Sequence, residues 1–167
     1  LEAGGYRKAL YDRAMTACAP FATVPHAQRS LKQRLTFFVW YWLVFRALQN
    51  FIGLRKTRIA MTGAAPIAPT IVSFFRTIGV PLIEVYGATE TSGVALGQRL
   101  SRLDPGSVGE VIANAEARIG EAGELLLRAE TVFAGYYKNA DATAATIRDG
   151  WLHTGDVVEC TDGQYRV

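Results

Sequence analysis

Val85-Tyr86-Gly87-Ala88-Thr89-Glu90-Thr91-Ser92-Gly93 follows the apolar run Pro81-Leu82-Ile83-Glu84-Val85. An aromatic ring, glycines, hydroxyls and one carboxylate succeed one another there without helical periodicity. The stretch reads as a strand end opening into a ligand loop. Gly87 lets the backbone turn, or approach a ligand where a side chain would clash. Tyr86 offers a flat face to a base, and Thr89 can donate to a phosphate oxygen. Glu90 is the hard oxygen ligand that Mg²⁺ takes when phosphates fill its other sites. A turn with one glutamate also arises for purely structural reasons, so the flanking chain decides.

Upstream, residues 56–61 read as a short buried strand ending in the turn Thr62-Gly63-Ala64-Ala65-Pro66. Pro69 then opens a helix whose apolar stripe is Ile71, Val72, Phe74, Phe75 and Ile78, and Gly79 stops it. Strand, turn, helix, strand, with the chemistry in the turns, is how open α/β sheets present ligand sites at strand carboxyl ends. Downstream, 94–98 reads as a strand and 99–109 as a loop. Short strands follow at 115–119 and 124–128 around a turn at 120–123, and the strand pattern continues over 132–137. Asp141 is expected to cap a helix over 142–147, and Asp149-Gly150 to turn the chain toward Trp151. The fold class is therefore α/β: part of an open α/β subdomain over 1–109, then a small β-rich subdomain, a distorted barrel, over 110–167.

Near the end of the chain, Gly155 before Asp156 lets a carboxylate project from a tight turn. Its two acceptor oxygens match the adjacent hydroxyls of a ribose, although a turn aspartate can also bond its own backbone. His153 suits a structural position better than a ligand contact. Glu124 suits a hydrogen-bonding anchor, and Trp151 packing.

Four ordered stretches carry a resemblance: Thr62 to Pro66; Tyr86 to Ser92; Gly123-Glu124-Leu125-Leu126-Leu127-Arg128 with Val132-Phe133-Ala134-Gly135-Tyr136-Tyr137-Lys138-Asn139; and Gly150-Trp151-Leu152-His153-Thr154-Gly155-Asp156. Together they resemble the adenylate-forming (AMP-binding) superfamily, in its long-chain fatty acyl-CoA synthetase branch. The resemblance implies an AMP-forming acid–thiol ligase that uses ATP and Mg²⁺ to make an acyl-adenylate from a fatty acid, then passes the acyl group to coenzyme A. By the same resemblance Gly63, Ala64, Ala65, Pro66 and Tyr86 lie along the adenine. Gly87, Ala88 and Thr89 adjoin the nucleotide, the acyl chain passes near Gly87, Ala88 and Gly93 to Val94, Thr89 and Glu90 are catalytic with Glu90 on the metal, and Asp156 holds the ribose. Ala129 stands where the pattern has glycine, and 110–114 lacks the usual proline and glycine, which puts loop geometry in question. Adenylation with transfer to a carrier protein or a reductase, or a non-catalytic nucleotide-binding relict, are the alternatives.

The remaining sequence bounds these readings. Among 167 residues, 50% are hydrophobic and 20% charged, the composition of a globular domain. The net charge of +3 suits polyphosphate but is too small and scattered for nucleic-acid binding. Cys18 and Cys160 are far apart and form no metal or disulfide pattern, so a cytoplasmic setting is expected. Residues 6–19 read as a surface helix and 21–27 as a loop that leaves His26 in solvent. Residues 28–51 form a second helix around Phe37-Phe38-Val39-Trp40-Tyr41-Trp42-Leu43-Val44-Phe45. Bounded by Arg34 and Arg46, this run is too short to span a bilayer. Either the helix is buried in a larger body, or its segment 35–48 rests peripherally on a membrane. The chain opens without methionine and closes in a predicted strand, so it is expected to be an excerpt. The resemblance implies a phosphate loop before it, and a hinge and C-terminal domain after it.

Overall fold

The computed structural model describes residues 3–65 and 67–167. The chain forms two compact units: Leu1–Thr62, Ile67–Ile83 and Leu100–Pro105 make the first, and Gly63–Pro66, Glu84–Arg99 and Gly106–Val167 the second.

Helices dominate the first unit: α1 (Ala3–Cys18), α2 (Leu31–Trp40), a π-helical stretch (Tyr41–Phe45), α3 (Arg46–Phe51) and α4 (Pro69–Thr77). Ser30 and Gln33 form a reciprocal capping box at the start of α2. Ala14, Cys18, Phe21, Phe45, Ile78 and Val80 build the core, with Phe37, Trp40, Tyr41 and Val44 packed on it. On the other side of the same helix Leu31, Leu35, Phe38, Val39, Trp42 and Leu43 are exposed. The helix is thus apolar on every side over 37–45, and among the described residues one face of it is buried. Among the described residues no helix is long and apolar enough to cross a membrane.

Strand β1 (Ala60–Thr62) and the beginning of β2 (Leu82–Ala88) meet where the Ala60 N–H donates to Pro81 O at 3.0 Å. Further along, Gly63 lies against Val85, so the two strands run in the same direction with α4 as their connection. The strand–turn–helix–strand order read from the sequence is the one observed, but the strand read as buried over 56–61 is confined to Ala60–Thr62, with Ile59 and Met61 exposed.

In the second unit β2 continues antiparallel to β3 (Gly93–Gly97), and β3 to β4 (Glu110–Val111). A second sheet has the order β5-β6-β8-β7, from Ala115–Ile119, Glu124–Ala129, Trp151–Val157 and Ile147–Arg148. Strands β9 (Glu159–Thr161) and β10 (Gln164–Arg166) form a hairpin. Asp149-Gly150 and Asp162-Gly163 each have both φ values positive, the geometry of the tightest hairpin turn, and they join β7 to β8 and β9 to β10. Ala95, Leu96, Leu125, Leu127, Leu152, Val158 and Tyr165 form the core. The guanidinium groups of Arg118 and Arg128 lie over the Trp151 ring, 4.2 and 4.6 Å from its centroid. The sheets are open, and no closed barrel forms among the described residues.

Two further local expectations are corrected. Residues 132–137 form a loop, not a strand, because Gly135 adopts φ +143° and turns the chain onto Thr143 of α5 (Ala140–Thr146). Helix α5 is capped by Asn139, whose side-chain oxygen accepts from Ala142 N at 3.1 Å, and Asp141 lies in its first turn.

Candidate functional site

Every sequence-derived site residue that the structure describes belongs to the second unit. Gly63, Ala64 and Ala65 form an exposed turn, with Ala64 in the left-handed region at φ +69°, while Pro66 lies outside the described residues. Gly63 approaches Val85 so closely that a Cβ there would stand 2.6 Å from the Val85 carbonyl oxygen. Glycine is therefore required for the turn to sit on the strand that carries Tyr86.

Gly87 makes its close approach to protein. A Cβ on it would fall 1.9 Å from Gly93 O, because β2 and β3 squeeze together at a register shift between Tyr86 and Gly87. Beyond it, residues 89–91 make one 3₁₀ turn that exposes Thr89 and half-buries Glu90. Thr91, buried at the far end, closes this turn. Its hydroxyl accepts from Ala88 N at 2.9 Å and directs its single proton to Gly93 O at 2.6 Å or Ala88 O at 2.9 Å.

The Tyr86 hydroxyl donates to Asp156 Oδ2 at 2.5 Å, across a sequence separation of 70 residues. Burial, and then this bond, push the Tyr86 phenol up to about 12. Asp156 is exposed, but it lies within β8 beside Gly155 at φ +76°, where β8 bulges against β6, and not in the tight turn expected. That bulge is held by Thr154, which donates to Leu125 O at 2.8 Å and accepts from Asp156 N at 3.2 Å. Glu124 anchors it from the neighbouring strand: one oxygen accepts from Gly155 N at 3.0 Å, and the other lies 2.9 Å from His153 Nδ1. The contact with His153 holds the Glu124 carboxyl below its usual range. Arg148 Nη2 is 2.7 Å from the same His153 nitrogen. One ring nitrogen cannot serve a donor and an acceptor together, so the tautomer selects between Arg148 and Glu124.

Glu90 is tied at both ends of the residue. Its carbonyl accepts from Phe133 N at 2.8 Å, and its Oε1 accepts from Tyr136 OH at 2.7 Å. The bond from Tyr136 holds the Glu90 carboxyl below the ordinary carboxylate range, so it is ionised at neutral pH. Glu90, Tyr136, Glu124, Arg148, His153 and Thr154 line one cavity of about 300 Å³. Among the described residues no three His, Cys, Asp or Glu side chains converge as a metal-holding group. Glu90 could thus supply one oxygen to a divalent cation whose other ligands are phosphate and water, a common arrangement for Mg²⁺.

The sequence singled out both carboxylates and the Glu124 anchor, but not Thr91, Thr154 or Tyr136 as holders. Thr91 and Thr154 stand inside the quoted stretches, and their hydroxyls, two and one residues before a glycine, were the available signal. Tyr136 carried no signal, because its loop read as a strand.

With this geometry in place, residues 10–137 match the family described as AMP-binding enzyme. The chain belongs to the AMP-binding enzyme family. The AMP-binding match includes the turn at Gly63, Tyr86 and Glu90, and ends before Asp156, which joins the group through its bond to Tyr86. Similar proteins include the long-chain-fatty-acid–CoA ligase FadD15 of Mycobacterium bovis, 38% identical over 69% of this chain and 19% of the relative. Another is long chain acyl-CoA synthetase 3 of Arabidopsis thaliana, 36% identical over 70% of this chain and 20% of the relative. The chain therefore spans about a fifth of the length of such relatives. Among solved structures, the anthranilate CoA ligase AuaEII in complex with anthranoyl-AMP superposes with a TM-score of 0.63 and 25% identity, over 76% of this chain and 27% of that one. Escherichia coli MenE, with a bound analogue, superposes with a TM-score of 0.59 and 25% identity, over 77% of this chain and 27% of that one.

Proposed function

We propose that this AMP-binding chain supplies the adenosine- and metal-binding part of an ATP-dependent long-chain fatty acid–CoA ligase. The observation that carries the reading is the direct bond between Tyr86 and Asp156, which unites an aromatic platform and a carboxylate from distant parts of the sequence. Asp156 presents acceptor oxygens to the ribose hydroxyls, and the Gly63–Ala65 turn with Tyr86 flanks the adenine. Thr89 donates to a phosphate oxygen. Glu90 would hold Mg²⁺ by one oxygen, and an ion bound there would offset negative charge on the phosphates. This chain's contribution to adenylation is to position the nucleotide and keep an ionised carboxylate in place. Transfer of the acyl group to coenzyme A rather than a carrier protein is favoured by the names of the similar proteins.

Segments 1–109 and 110–167 are read as the α/β and β-rich parts of one N-terminal domain, whose work is completed by a C-terminal domain. A cytoplasmic enzyme of this kind meets a substrate that partitions into lipid. The exposed apolar side of segment 35–48, flanked by Lys32, Arg34 and Arg46, is the proposed peripheral contact.

Titration calorimetry of the chain with AMP, and with ATP plus Mg²⁺, tests the nucleotide reading. One-to-one binding is expected, without ligase turnover by the chain alone. Absence of binding at millimolar nucleotide would overturn the reading, and acyl-CoA formation would refute the expectation of inactivity.

A further inference from the structure

The segment that joins β6 to α5 has no strand partner, yet it is fixed at several points. Val132 N bonds Ala129 O at 3.2 Å, and Phe133 N bonds Glu90 O at 2.8 Å. Gly135 turns at φ +143°, and a Cβ on it would stand 2.6 Å from Thr143 Cγ2. Thr143 Oγ1 then accepts from Tyr136 N at 2.9 Å and donates to Asn139 O at 2.9 Å. The Tyr136 ring packs edge-on against Phe133 with centroids 4.8 Å apart. The next residue, Tyr137, points into solvent with 88% of its surface exposed. Of two adjacent tyrosines, Tyr136 is the less exposed at 37%, and its hydroxyl ends 2.7 Å from Glu90 Oε1.

We infer that Tyr136 is a positioning residue for Glu90: its hydroxyl occupies one carboxylate oxygen and leaves the other presented to a divalent cation. The inference rests on Glu90 being the metal-binding carboxylate. A lone carboxylate on a 3₁₀ turn rotates freely about its side-chain bonds, and a single-ligand metal site gains most from removal of that freedom. Residues 132–136 then act as a strap that brings the holder to the ligand. Partners of metal ligands typically change affinity by about 10–100-fold when removed.

The test uses Mn²⁺ with ATP as probe, read by water-proton relaxation on the purified chain, together with metal-free AMP binding by calorimetry. Tyr136→Phe keeps the ring and deletes the hydroxyl. It should weaken Mn²⁺–ATP binding by about tenfold while leaving metal-free AMP affinity unchanged. Glu90→Gln separates the two ideas. If Glu90→Gln weakens Mn²⁺–ATP binding and Tyr136→Phe does not, the inference fails and the role of Glu90 stands. If Glu90→Gln has no effect, or wild-type protein binds no Mn²⁺–ATP, the role of Glu90 fails and takes the inference with it. Equal loss of metal-free AMP binding in Tyr136→Phe would make the residue structural and overturn the proposal. Thr143→Ala loosens the strap without touching the tyrosine, and should move Mn²⁺–ATP affinity in the same direction, with Thr143→Ser restoring it. Wild-type affinity in a folded Thr143→Ala protein would also count against the strap.

Discussion

The hydroxyl of Tyr86 and the carboxylate of Asp156 share a hydrogen bond of 2.5 Å. The bond ties the Tyr86 ring to the exposed carboxylate of Asp156, joining the two strands that carry them. If Asp156 receives the ribose, Asp156→Ala should lower AMP affinity by about 10–100-fold, the scale of lost hydrogen bonds to a charged acceptor. The loss should be much smaller for 2′,3′-dideoxy-AMP, which has no hydroxyls to offer. Calorimetry with both nucleotides checks this, and equal losses would remove Asp156 from the ribose.

Tyr86 gives a pH signature. Its phenol is raised from 10.0 to about 12, so the fold favours the protonated form. The associated stability is fully present below pH 10 and is lost as pH rises from there through about 12, where the unfolded chain has released the proton and the folded one has not. Burial is the largest cause and Asp156 the next, so Asp156→Asn should bring the phenol midpoint down without returning it to 10.0. Tyrosinate absorbance against pH, compared with Tyr86→Phe, follows the transition. A midpoint unchanged by Asp156→Asn would show that the bond contributes nothing.

How much of this was legible beforehand depends on whether the physics was local. Pro69 at a helix start, the apolar stripe to Ile78 and the short strand runs on either side of the turn at 120–123 are local, and those elements form as read. Tyr86, Glu90 and Asp156 stood out because their residue types follow strands and glycines. Their juxtaposition was not local: no period in the sequence encodes a bond across 70 residues. Residues 132–137 are rich in strand formers, Val132, Phe133, Tyr136 and Tyr137, but a glycine at φ +143° and the Thr143 anchor win over β-propensity. The helix around Phe37 and Phe38 was ambiguous for a related reason. Apolar residues on every side give no direction until a core such as Ala14, Cys18 and Ile78 selects one face.

Glu124 couples stability to the site. Glu124→Ala removes the acceptor for Gly155 N and the partner of His153, and should cost about 1 kcal/mol after allowance for solvent screening. Because its folded carboxyl is held below the ordinary 4.5, its contribution is present above that value and is lost as pH falls below it. Glu124→Gln keeps an oxygen for Gly155 and should flatten that acid-side dependence while losing less at neutral pH. Urea midpoints from neutral to acid pH decide, and a wild-type acid profile in Glu124→Gln would exclude the charge effect.

Gly87 and Gly163 separate crowding from backbone strain. At Gly87 a Cβ would lie 1.9 Å from Gly93 O and 2.7 Å from Gly93 C, and a paired backbone cannot swing aside as a side chain can. Gly87→Ala must therefore spread β2 from β3, and should cost about 3 kcal/mol, the upper range for overpacking. The same movement would carry Thr89 and Glu90 out of place, so nucleotide affinity should fall with stability. Gly163 has φ +76° and open space around its missing Cβ, so Gly163→Ala meets only the left-handed penalty of about 1 kcal/mol and sits in a turn remote in sequence from the loop. It should unfold slightly earlier in denaturant and bind AMP as the unmodified chain does. If the two substitutions proved equally mild, the close approach at Gly87 would not be what shapes the turn that bears Glu90.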